Sequence, residues 1–454
     1  MNPFSVGYAQ LNINPNLGID ISGYYVPRFA KGILDDLQTS ALALSHGNTT
    51  VLLISVDILG IDFELSLQYR QGISTATGVP AENIFLSATH SHTAASLNDR
   101  TFPAEKVDDV NAYIRFLGNR LADAAQLAIA DLRPAKMGYC VANAPDRIAY
   151  IRRYKMKDGS TMTCPPINDP NIDHAIGTLD QRVNVLRFDR EGGESIVLVN
   201  YGLHADTIGG ELLSGDFPAW LRTTLEKALD GVKCIFFNGA EGDVGSTNIH
   251  PSGGDMNDTQ ISFDNEMKSP GMARFVGRAL AGTVLQVYDK VTYVEVDRVA
   301  ALQRIAKVPS NMPTAGELPL AHKYRQLHEE GRDSEIPYTA MELTTVVAEA
   351  LRMCRLEHGP EFFQLNLLGI QIGPVAMVGI PGEPFTDIGV AIKEAPGWEL
   401  ILPCALTNGN EGYFPMQSAY DEGGYESRTS QYKAGIAELL IDNAKALLDN
   451  LRTK

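Results

Sequence analysis

The sequence contains few cysteines, and they are not arranged in pairs. They are odd in number, far apart in the chain and never in Cys-x-x-Cys spacing (Cys140, Cys164, Cys234, Cys354 and Cys404). A disulfide framework uses cysteines in even number, and a thiolate zinc site uses short Cys-x-x-Cys pairs. The sequence therefore predicts free, buried thiols in a reducing compartment, and we expect the protein to be cytoplasmic.

A long apolar run is also missing. Residues 51–61, VLLISVDILGI, form one of the longest, and this stretch is too short and too interrupted to span a bilayer. The N-terminal MNPFSVGYAQLNINP has no basic patch followed by an apolar core, which a secretory signal would need. We therefore expect neither a stable membrane association nor a leader segment.

Positive charge is scarce. Against 55 Asp and Glu there are 38 Lys and Arg, which gives a formal net charge of −17. Such a charge repels phosphate backbones and anionic membrane surfaces at long range. Nucleic acid is therefore excluded as an expected partner, and the rest of the sequence favours a small-molecule substrate. The composition is compatible with a monomer and with a homo-oligomer.

What the sequence does have is enough apolar residues for a large core. Hydrophobic residues make up 44% of the 454, and strand-like and helix-like patterns alternate along the chain. This alternation predicts an α/β fold with layers around a mixed β-sheet. No Pro- or Ser-rich linker divides the chain. We therefore expect one domain over residues 1–454, with a helical insertion at residues 305–357.

Local patterns predict several elements. Gly47-Asn48 separates two apolar runs and predicts a hairpin turn. Apolar residues at steps of three and four predict an amphipathic helix over residues 106–131. A strand is expected near 291–303, and a closing helix over 428–452. Residues 143–181 fit neither period, and we expect them to form a lid or the wall of a pocket.

Polar residues end several of the apolar strands. Ligands of open α/β sheets gather beyond the carboxyl ends of the strands, so these positions are candidates for a functional site. They are Asp57, His90 and His92, His204 and Asp206, Glu241 and Asp243, and Glu383.

His90 and His92 are separated by one residue. In a strand this spacing puts both imidazoles on one face, a geometry that zinc sites use. The pair alone does not decide the matter, because a polar strand end explains it about as well. His204 also ends an apolar strand, where an unpaired imidazole would be costly to bury. Taken alone, His204 would fit a core histidine whose hydrogen bonds are satisfied.

Glu383 follows an apolar strand in the tight turn IPGEPF. Its carboxylate either caps the helix that begins near Phe385 or completes a metal set of two histidines and one glutamate. Three protein ligands with an open position are typical of catalytic zinc, whereas structural zinc is closed and rich in sulfur. The sequence therefore favours a catalytic site, with Zn2+ as the expected cofactor.

Two arginines and two tyrosines are further candidates. Arg152 and Arg153 would stabilise an oxyanion or hold an acidic substrate, although a solvated basic pair is the commoner case. Tyr413 and Tyr425 flank the loop that follows the strand at 399–404. A phenol near zinc can ligate the metal or donate to an oxyanion, but tyrosines in loops usually only pack.

Taken in order, the segments THSH, NYGLHAD, NGAEGDVGSTN, IPGEPF and GYF…GYES resemble the neutral/alkaline ceramidase family. The resemblance covers nearly the whole chain, beginning with SVGYAQLNINP and the GY of ISGYY. It implies that a zinc ion is held by one histidine of THSH, a later histidine, the glutamate of the PGE turn and a tyrosine. These are His90, His204, Glu383 and Tyr413.

The same resemblance implies roles for neighbouring residues. His92 would act beside the water that zinc activates, and Tyr425 would lie in the pocket. Arg152 or Arg153 would be the pocket arginine.

The chain also departs from the ceramidase pattern. Ceramidases carry a serine in a GDVSPN-like segment near the metal, whereas this chain reads GDVGST, with Gly245 at that position and Ser246 one residue later. The additional C-terminal β-domain of ceramidases has no counterpart in the sequence. We therefore expect the catalytic N-terminal domain of this family to act on a soluble, non-ceramide substrate, bound in part by Asp57, Asp243 and Ser246.

The expected activity is zinc-dependent hydrolysis of an amide (N-acyl) bond by a metal-activated water. His92 would move the proton, and Tyr425 with one arginine would stabilise the oxyanion. A barrel-type amidohydrolase is a weaker alternative, because its His-x-His comes near the start of the barrel and its last ligand is an Asp. The same zinc site would also serve an esterase or a glycoside hydrolase. A metal-stabilised binding protein without turnover is the last alternative.

Overall fold

The computed structural model describes residues 3–97, 104–256 and 268–453. The strands of this part of the chain are β1 (Ser5–Asn12), β2 (Gly32–Ile33), β3 (Gln38–His46), β4 (Thr49–Val56), β5 (Ile84–Ala88), β6 (Arg133–Asn143), β7 (Tyr150–Ile151), β8 (Arg153–Met156), β9 (Thr161–Thr163), β10 (Ile172–Ala175), β11 (Arg182–Arg190), β12 (Ser195–Tyr201), β13 (Leu212–Leu213), β14 (Val232–Asn238), β15 (Val244–Gly245), β16 (Thr292–Val294), β17 (Val299–Pro309), β18 (Phe362–Ile372), β19 (Val375–Gly379), β20 (Glu383–Pro384), β21 (Leu400–Cys404) and β22 (Tyr413–Phe414).

The helices of the same residues are α1 (Phe63–Thr77), α2 (Ala104–Ala130), α3 (Asp216–Ala228), α4 (Pro270–Val287), α5 (Leu318–Glu329), α6 (Ala340–Leu356), α7 (Thr386–Lys393), α8 (Gln417–Glu422), α9 (Tyr425–Thr429) and α10 (Ile436–Thr453). Among them, no helix combines the length and the apolar character that a bilayer crossing requires.

Two sheets form the centre of the fold. The larger has the order β14-β12-β11-β6-β1-β3-β4-β5, with β16 also paired to β6, and the smaller has the order β17-β18-β19-β21. Both are mixed, because β4–β5, β12–β14 and β19–β21 are parallel pairs while their neighbours are antiparallel. The α/β class with a mixed sheet is confirmed. The sequence did not show that the strands divide between two sheets.

Alternating side chains explain how the layers stack. In β3, Leu42 packs with Leu368 of the smaller sheet, and the preceding Ala41 packs with Leu121 of α2. Successive side chains of a strand point to opposite faces, so one sheet can bury both. Helices α1 to α4 cover the outer face of the larger sheet, and α7 and α10 cover the outer face of the smaller one. The result is a helix–sheet–sheet–helix sandwich.

The strongest local patterns are confirmed. Strands β3 and β4 form an antiparallel hairpin whose turn contains Gly47 at a φ of +60°. Helix α2 covers nearly the range 106–131 that the apolar spacing predicts.

Three boundaries differ from the sequence expectations. The stretch 291–303 is not one strand, because the chain leaves the larger sheet after β16 and enters the smaller one at β17. The closing helix begins at Ile436, since α9 is a separate helix and Gly435 lies between them at a φ of +97°. Residues 143–181 contain short strands, of which β8, β9 and β10 form a small sheet of their own.

The helical insertion is shorter than the sequence indicates. Strand β17 remains paired with β18 up to Pro309, so the insertion helices begin only at Leu318. Helices α5 and α6 pack on each other through a small apolar cluster of their own. Arg428 of α9 donates to Glu342 at 2.7 Å and to Glu349 at 2.6 Å, both on α6. The insertion is therefore tied to α9 by ion pairs.

Asp57 and Asp243 have structural partners in place of the expected substrate-binding role. The Asp57 carboxylate accepts two hydrogen bonds from the Arg222 guanidinium of α3, one of them at 3.0 Å, and both side chains are buried. Asp243 accepts from the backbone N–H and the hydroxyl of Thr386, both at 2.8 Å, at the start of α7. These carboxylates hold helices against the strands.

We expect Asp57→Ala to lower the free energy of unfolding by about 3–5 kcal/mol, because it leaves the buried Arg222 charge without a partner. Urea denaturation followed by circular dichroism measures the change. Asp230→Ala is the matched control, because Asp230 is exposed and its loss should cost no more than about 0.5 kcal/mol. Equal stability of the two variants would contradict the structural role of Asp57.

Candidate metal centre

The candidate site lies where the carboxyl ends of β5, β12 and β19 meet. His90 follows β5, His204 follows β12, and Glu383 lies in β20 just after β19. Asn238, the buried last residue of β14, joins two of these ends. Its amide nitrogen donates to the carbonyls of Thr89 at 3.3 Å and Leu203 at 3.0 Å. The residues directly before both histidines are therefore fixed by one side chain.

His90 adopts an unusual backbone conformation, with a φ of +72°. A non-glycine residue in this left-handed region costs on the order of 1 kcal/mol, so the surrounding bonds must hold it there. The backbone N–H of His90 donates to Ile58 O at 3.0 Å, and its ring Nδ1 lies 2.8 Å from Leu59 O. These bonds fix the ring so that Nε2 faces the other candidate residues.

Three side-chain atoms lie within about 3.4 Å of Nε2 of His90. The Nε2 of His90 lies 3.1 Å from Nε2 of His204 and 3.3 Å from Nε2 of His92. The Oε2 of Glu383 lies 3.4 Å from Nε2 of His90 and 3.3 Å from Nε2 of His204. All four side chains are buried or nearly so. Residues far apart in the sequence are thus brought to one point.

The ring hydrogen bonds determine what those nitrogens can do. Nδ1 of His204 lies 3.0 Å from Glu241 O, as Nδ1 of His90 lies against Leu59 O. A carbonyl only accepts, so each Nδ1 carries the proton and each neutral ring presents a lone pair at Nε2. Burial, then the nearby Arg152 and His90, lower the pKa of His204 to about 4, which keeps this ring neutral. Two facing lone pairs cannot bond each other.

These residues fit a divalent cation. Within the described part of the chain, Oε2 of Glu383 and both carboxylate oxygens of the buried Glu241 have no hydrogen-bond donor. A tetrahedral zinc site with ligand bonds of about 2.0–2.1 Å has ligand atoms about 3.3 Å apart, close to the separations observed here. His90, His204, Glu241 and Glu383 form one group able to hold a metal, and His90, His92 and His204 form another.

Tyr413 and Arg152 complete one side of the cluster. Strands β20 and β22 are parallel and pair Glu383 with Tyr413, which explains why the two are neighbours. The Tyr413 hydroxyl lies 3.5 Å from Nε2 of His204, and Nη1 of Arg152 lies 3.1 Å from the same nitrogen. The Tyr425 ring lies against the Tyr413 ring, with centroids 5.6 Å apart.

His92 faces a charged group on its other side. Its Nδ1 is 3.7 Å from Oδ1 of Asp206. The same Oδ1 accepts a hydrogen bond from the Tyr24 hydroxyl at 2.7 Å. The other carboxylate oxygen of Asp206, Oδ2, lies 2.9 Å from Nζ of Lys268. Burial alone would raise the pKa of Asp206, but His92 and Lys268 outweigh it and keep the carboxyl ionised.

A Cβ on Gly23, at a φ of +110°, would lie 2.7 Å from Nδ1 of His92, so this glycine lets the loop approach the ring.

The structure brings most of the expected site residues together. His90, His92, His204, Glu383, Tyr413, Tyr425 and Arg152 lie in one cluster. Arg153 does not join them, because its guanidinium donates to Glu422 and to Gly423 O, both at 3.0 Å. Ser246 is buried, and within the described residues its hydroxyl has no hydrogen bond to the cluster.

Four further residues lie near the cluster: Asp206 and Glu241, which the sequence named as strand-end candidates without a role, and Tyr24 and Lys268, which it did not select. Asp206 and Glu241 end apolar strands in the pattern that led to His204 and Asp243, so a signal for them was present. Burial and the neighbouring Glu383 raise the pKa of Glu241 well above its usual range. Tyr24 and Lys268 carry no such pattern, because loops from distant parts of the chain bring them in.

We expect His204→Ala to lose the bound metal, falling from about one ion per chain to near none, because one of few ligands disappears. Mass spectrometry of metals in the dialysed protein measures this. His174→Ala is the control, since the His174 side chain is exposed and its Nδ1 lies 3.1 Å from the neighbouring Asp173. A His204→Ala protein with full metal content would place the ion elsewhere.

Comparison with solved structures gives the same fold. The neutral ceramidase from Pseudomonas aeruginosa aligns with a TM-score of 0.72 and 17% sequence identity, over 99% of this chain and 75% of that chain. A ceramidase complexed with C2 aligns with a TM-score of 0.68 and 16% identity, over 99% of this chain and 76% of that chain. No protein-family model and no curated sequence matches the chain. The resemblance seen in the motifs is therefore confirmed in the architecture, and this chain has a fold similar to that of the neutral ceramidases.

Proposed function

We propose that this protein is a zinc-dependent hydrolase that cleaves an amide bond of an N-acyl compound. The observation that carries the proposal is the convergence of the His90 and His204 Nε2 lone pairs with the unpartnered Oε2 of Glu383. The similarity to ceramidase structures supports the amide as the bond that is cleaved.

His90, His204, Glu383 and Tyr413 are the residues that would hold the ion. A bound divalent cation polarises a carbonyl oxygen and makes a water molecule acidic enough to attack it near neutral pH. His92 and Arg152 lie beside these residues, with Nε2 of His92 3.3 Å from Nε2 of His90 and Nη1 of Arg152 3.1 Å from Nε2 of His204.

His92 is suited to carry the proton. Burial, outweighing the attraction of Asp206, lowers the pKa of His92 well below its usual range. The ring is therefore neutral, and a neutral imidazole has a nitrogen lone pair that would accept a proton from water and pass it to the leaving nitrogen. Its Nε2 lies 3.3 Å from Nε2 of His90, next to the proposed metal ligands.

Arg152 and Tyr425 are suited to stabilise the oxyanion. The guanidinium of Arg152 keeps its charge at all relevant pH values. Burial raises the pKa of Tyr425 well above its usual range, so its phenol remains a hydrogen-bond donor. Donors that are already in place where negative charge develops lower the barrier, and the loss of one costs about 100-fold or more.

A polar, non-ceramide substrate is favoured by the surroundings of His92. The Asp206–Lys268 ion pair lies beside His92, where an apolar chain would find charged neighbours. At Gly245, where ceramidases carry a serine, this chain has no side chain, and a Cβ there would be in van der Waals contact with the Arg152 Cβ at 3.7 Å.

We expect the zinc-loaded protein to hydrolyse p-nitroacetanilide and to act poorly on N-acylsphingosine, since the bond is an amide and the site is polar. Removal of zinc by a chelator should abolish the activity, and zinc should restore it. Turnover of p-nitrophenyl acetate or a p-nitrophenyl glycoside alone would assign a different bond. No turnover on any of these would favour a metal-stabilised binding protein.

His92→Ala should keep the metal and lower kcat by roughly 10²–10⁴, because only the proton carrier is removed. Metal analysis and steady-state kinetics on the same preparation measure both quantities, with His174→Ala as the control. His92 Nε2 is close enough to His90 to be a ligand itself, and a zinc-free His92→Ala protein would assign it that role.

A further inference from the structure

Glu426 is a fully buried carboxylate between the two arginines that the sequence singled out. Its Oε1 accepts from Nε of Arg152 at 2.7 Å, and its Oε2 accepts from the Thr163 hydroxyl at 2.7 Å. Nε of Arg153 lies 3.9 Å from Oε2. Burying a charge is costly unless it is paired and hydrogen-bonded, and Glu426 meets that condition on both oxygens.

The Arg152 guanidinium is held at three points. Nε is bound by Glu426, and Nη2 donates to Gly242 O at 2.8 Å. Nη1 is directed at the metal cluster, 3.1 Å from Nε2 of His204. A long, flexible side chain normally loses rotamer freedom when it binds, so an arginine fixed in advance gives up less when an oxyanion forms. The carboxylate determines which nitrogen faces the site.

The same short helix carries Tyr425. Helix α9 begins at Tyr425, and the next residue is Glu426, so one turn of backbone sets both the tyrosine and the carboxylate that holds the arginine. The backbone N–H of Tyr425 lies 3.3 Å from the Thr163 hydroxyl, which itself donates to Glu426. Helix α9 therefore positions both expected oxyanion donors, Tyr425 directly and Arg152 through Glu426.

We propose that Glu426 is a positioning residue that acts through Arg152 and keeps its Nη1 directed at the site where the oxyanion forms. The inference rests on the proposed function, because it assigns Arg152 a role in oxyanion stabilisation. Arg153 does not share this role. It neutralises the same carboxylate from the far side and is also bound to Glu422 of α8.

A double-mutant cycle tests whether Glu426 acts through Arg152. The zinc-loaded wild type, Glu426→Gln, Arg152→Ala and the double variant are titrated with acetohydroxamate, whose anionic oxygen resembles the oxyanion. We expect Glu426→Gln to weaken binding by roughly tenfold or more, as is typical for a lost hydrogen bond to a charged group. It should have no further effect when Arg152 is already alanine. An equal loss in both backgrounds overturns the proposal, as does no loss at all.

Glu422→Gln is the matched control, because it makes the same substitution at a carboxylate that pairs with Arg153 at 3.0 Å. It should leave acetohydroxamate affinity unchanged. A crystal structure of zinc-loaded Glu426→Gln is a readout that needs neither turnover nor ligand. The Arg152 guanidinium should have moved away from His204, and an unmoved guanidinium overturns the proposal. Metal content and thermal unfolding of every variant separate lost positioning from lost folding.

Failure of this inference differs from failure of the proposed function. If the cycle and the crystal structure give the expected results but the wild type cleaves no N-acyl compound, Glu426 positions Arg152 in a site with a different use. If the wild type is an active amidase and the cycle is additive, the function stands and Glu426 has only a structural role.

Discussion

The structure depends on one buried cluster, in which the lone pairs of two imidazoles and one carboxylate face each other. His90 and His204 each commit the Nδ1 proton to a backbone carbonyl, so both direct an unprotonated Nε2 toward the carboxylate of Glu383. In water such groups would be solvated, but here they are buried, and they repel one another unless a cation lies among them. The burial of these side chains, the ring orientations and the placement of the strands all suit one divalent ion.

The two sheets place the residues of this cluster at the ends of their strands. Three parallel strand pairs, β4–β5, β12–β14 and β19–β21, lie in two different sheets. Strands from each pair run toward the site, and the chain supplies a ligand just beyond the strand end. Asn238 connects the segments before His90 and His204, while the β20–β22 pairing places Glu383 beside Tyr413. A sandwich of rigid layers therefore fixes side chains that are distant in the sequence.

The sequence predicted the parts of this arrangement that depend on local pattern. Apolar periodicity identified α2 and the hairpin, and abrupt strand ends identified His90, His204 and Glu383. Local pattern does not predict in which direction a side chain points or which distant residue it contacts. Arg152 and Arg153 are neighbours in an extended segment, so their side chains point in opposite directions, and only the register decides which one faces the metal cluster. Asp57 ends a strand just as His90 does, yet its partner Arg222 is far along the chain.

The helical insertion has a consequence for how this site can vary. Helix α9 has only five residues, and Arg428 within it is bound by two carboxylates of α6. The orientation of α9 is therefore set partly by an element outside the central sandwich. Sequence changes in the α5–α6 pair can therefore tilt Tyr425 without changing His90, His204 or Glu383, so the surroundings of the cluster can vary while the cluster itself is kept.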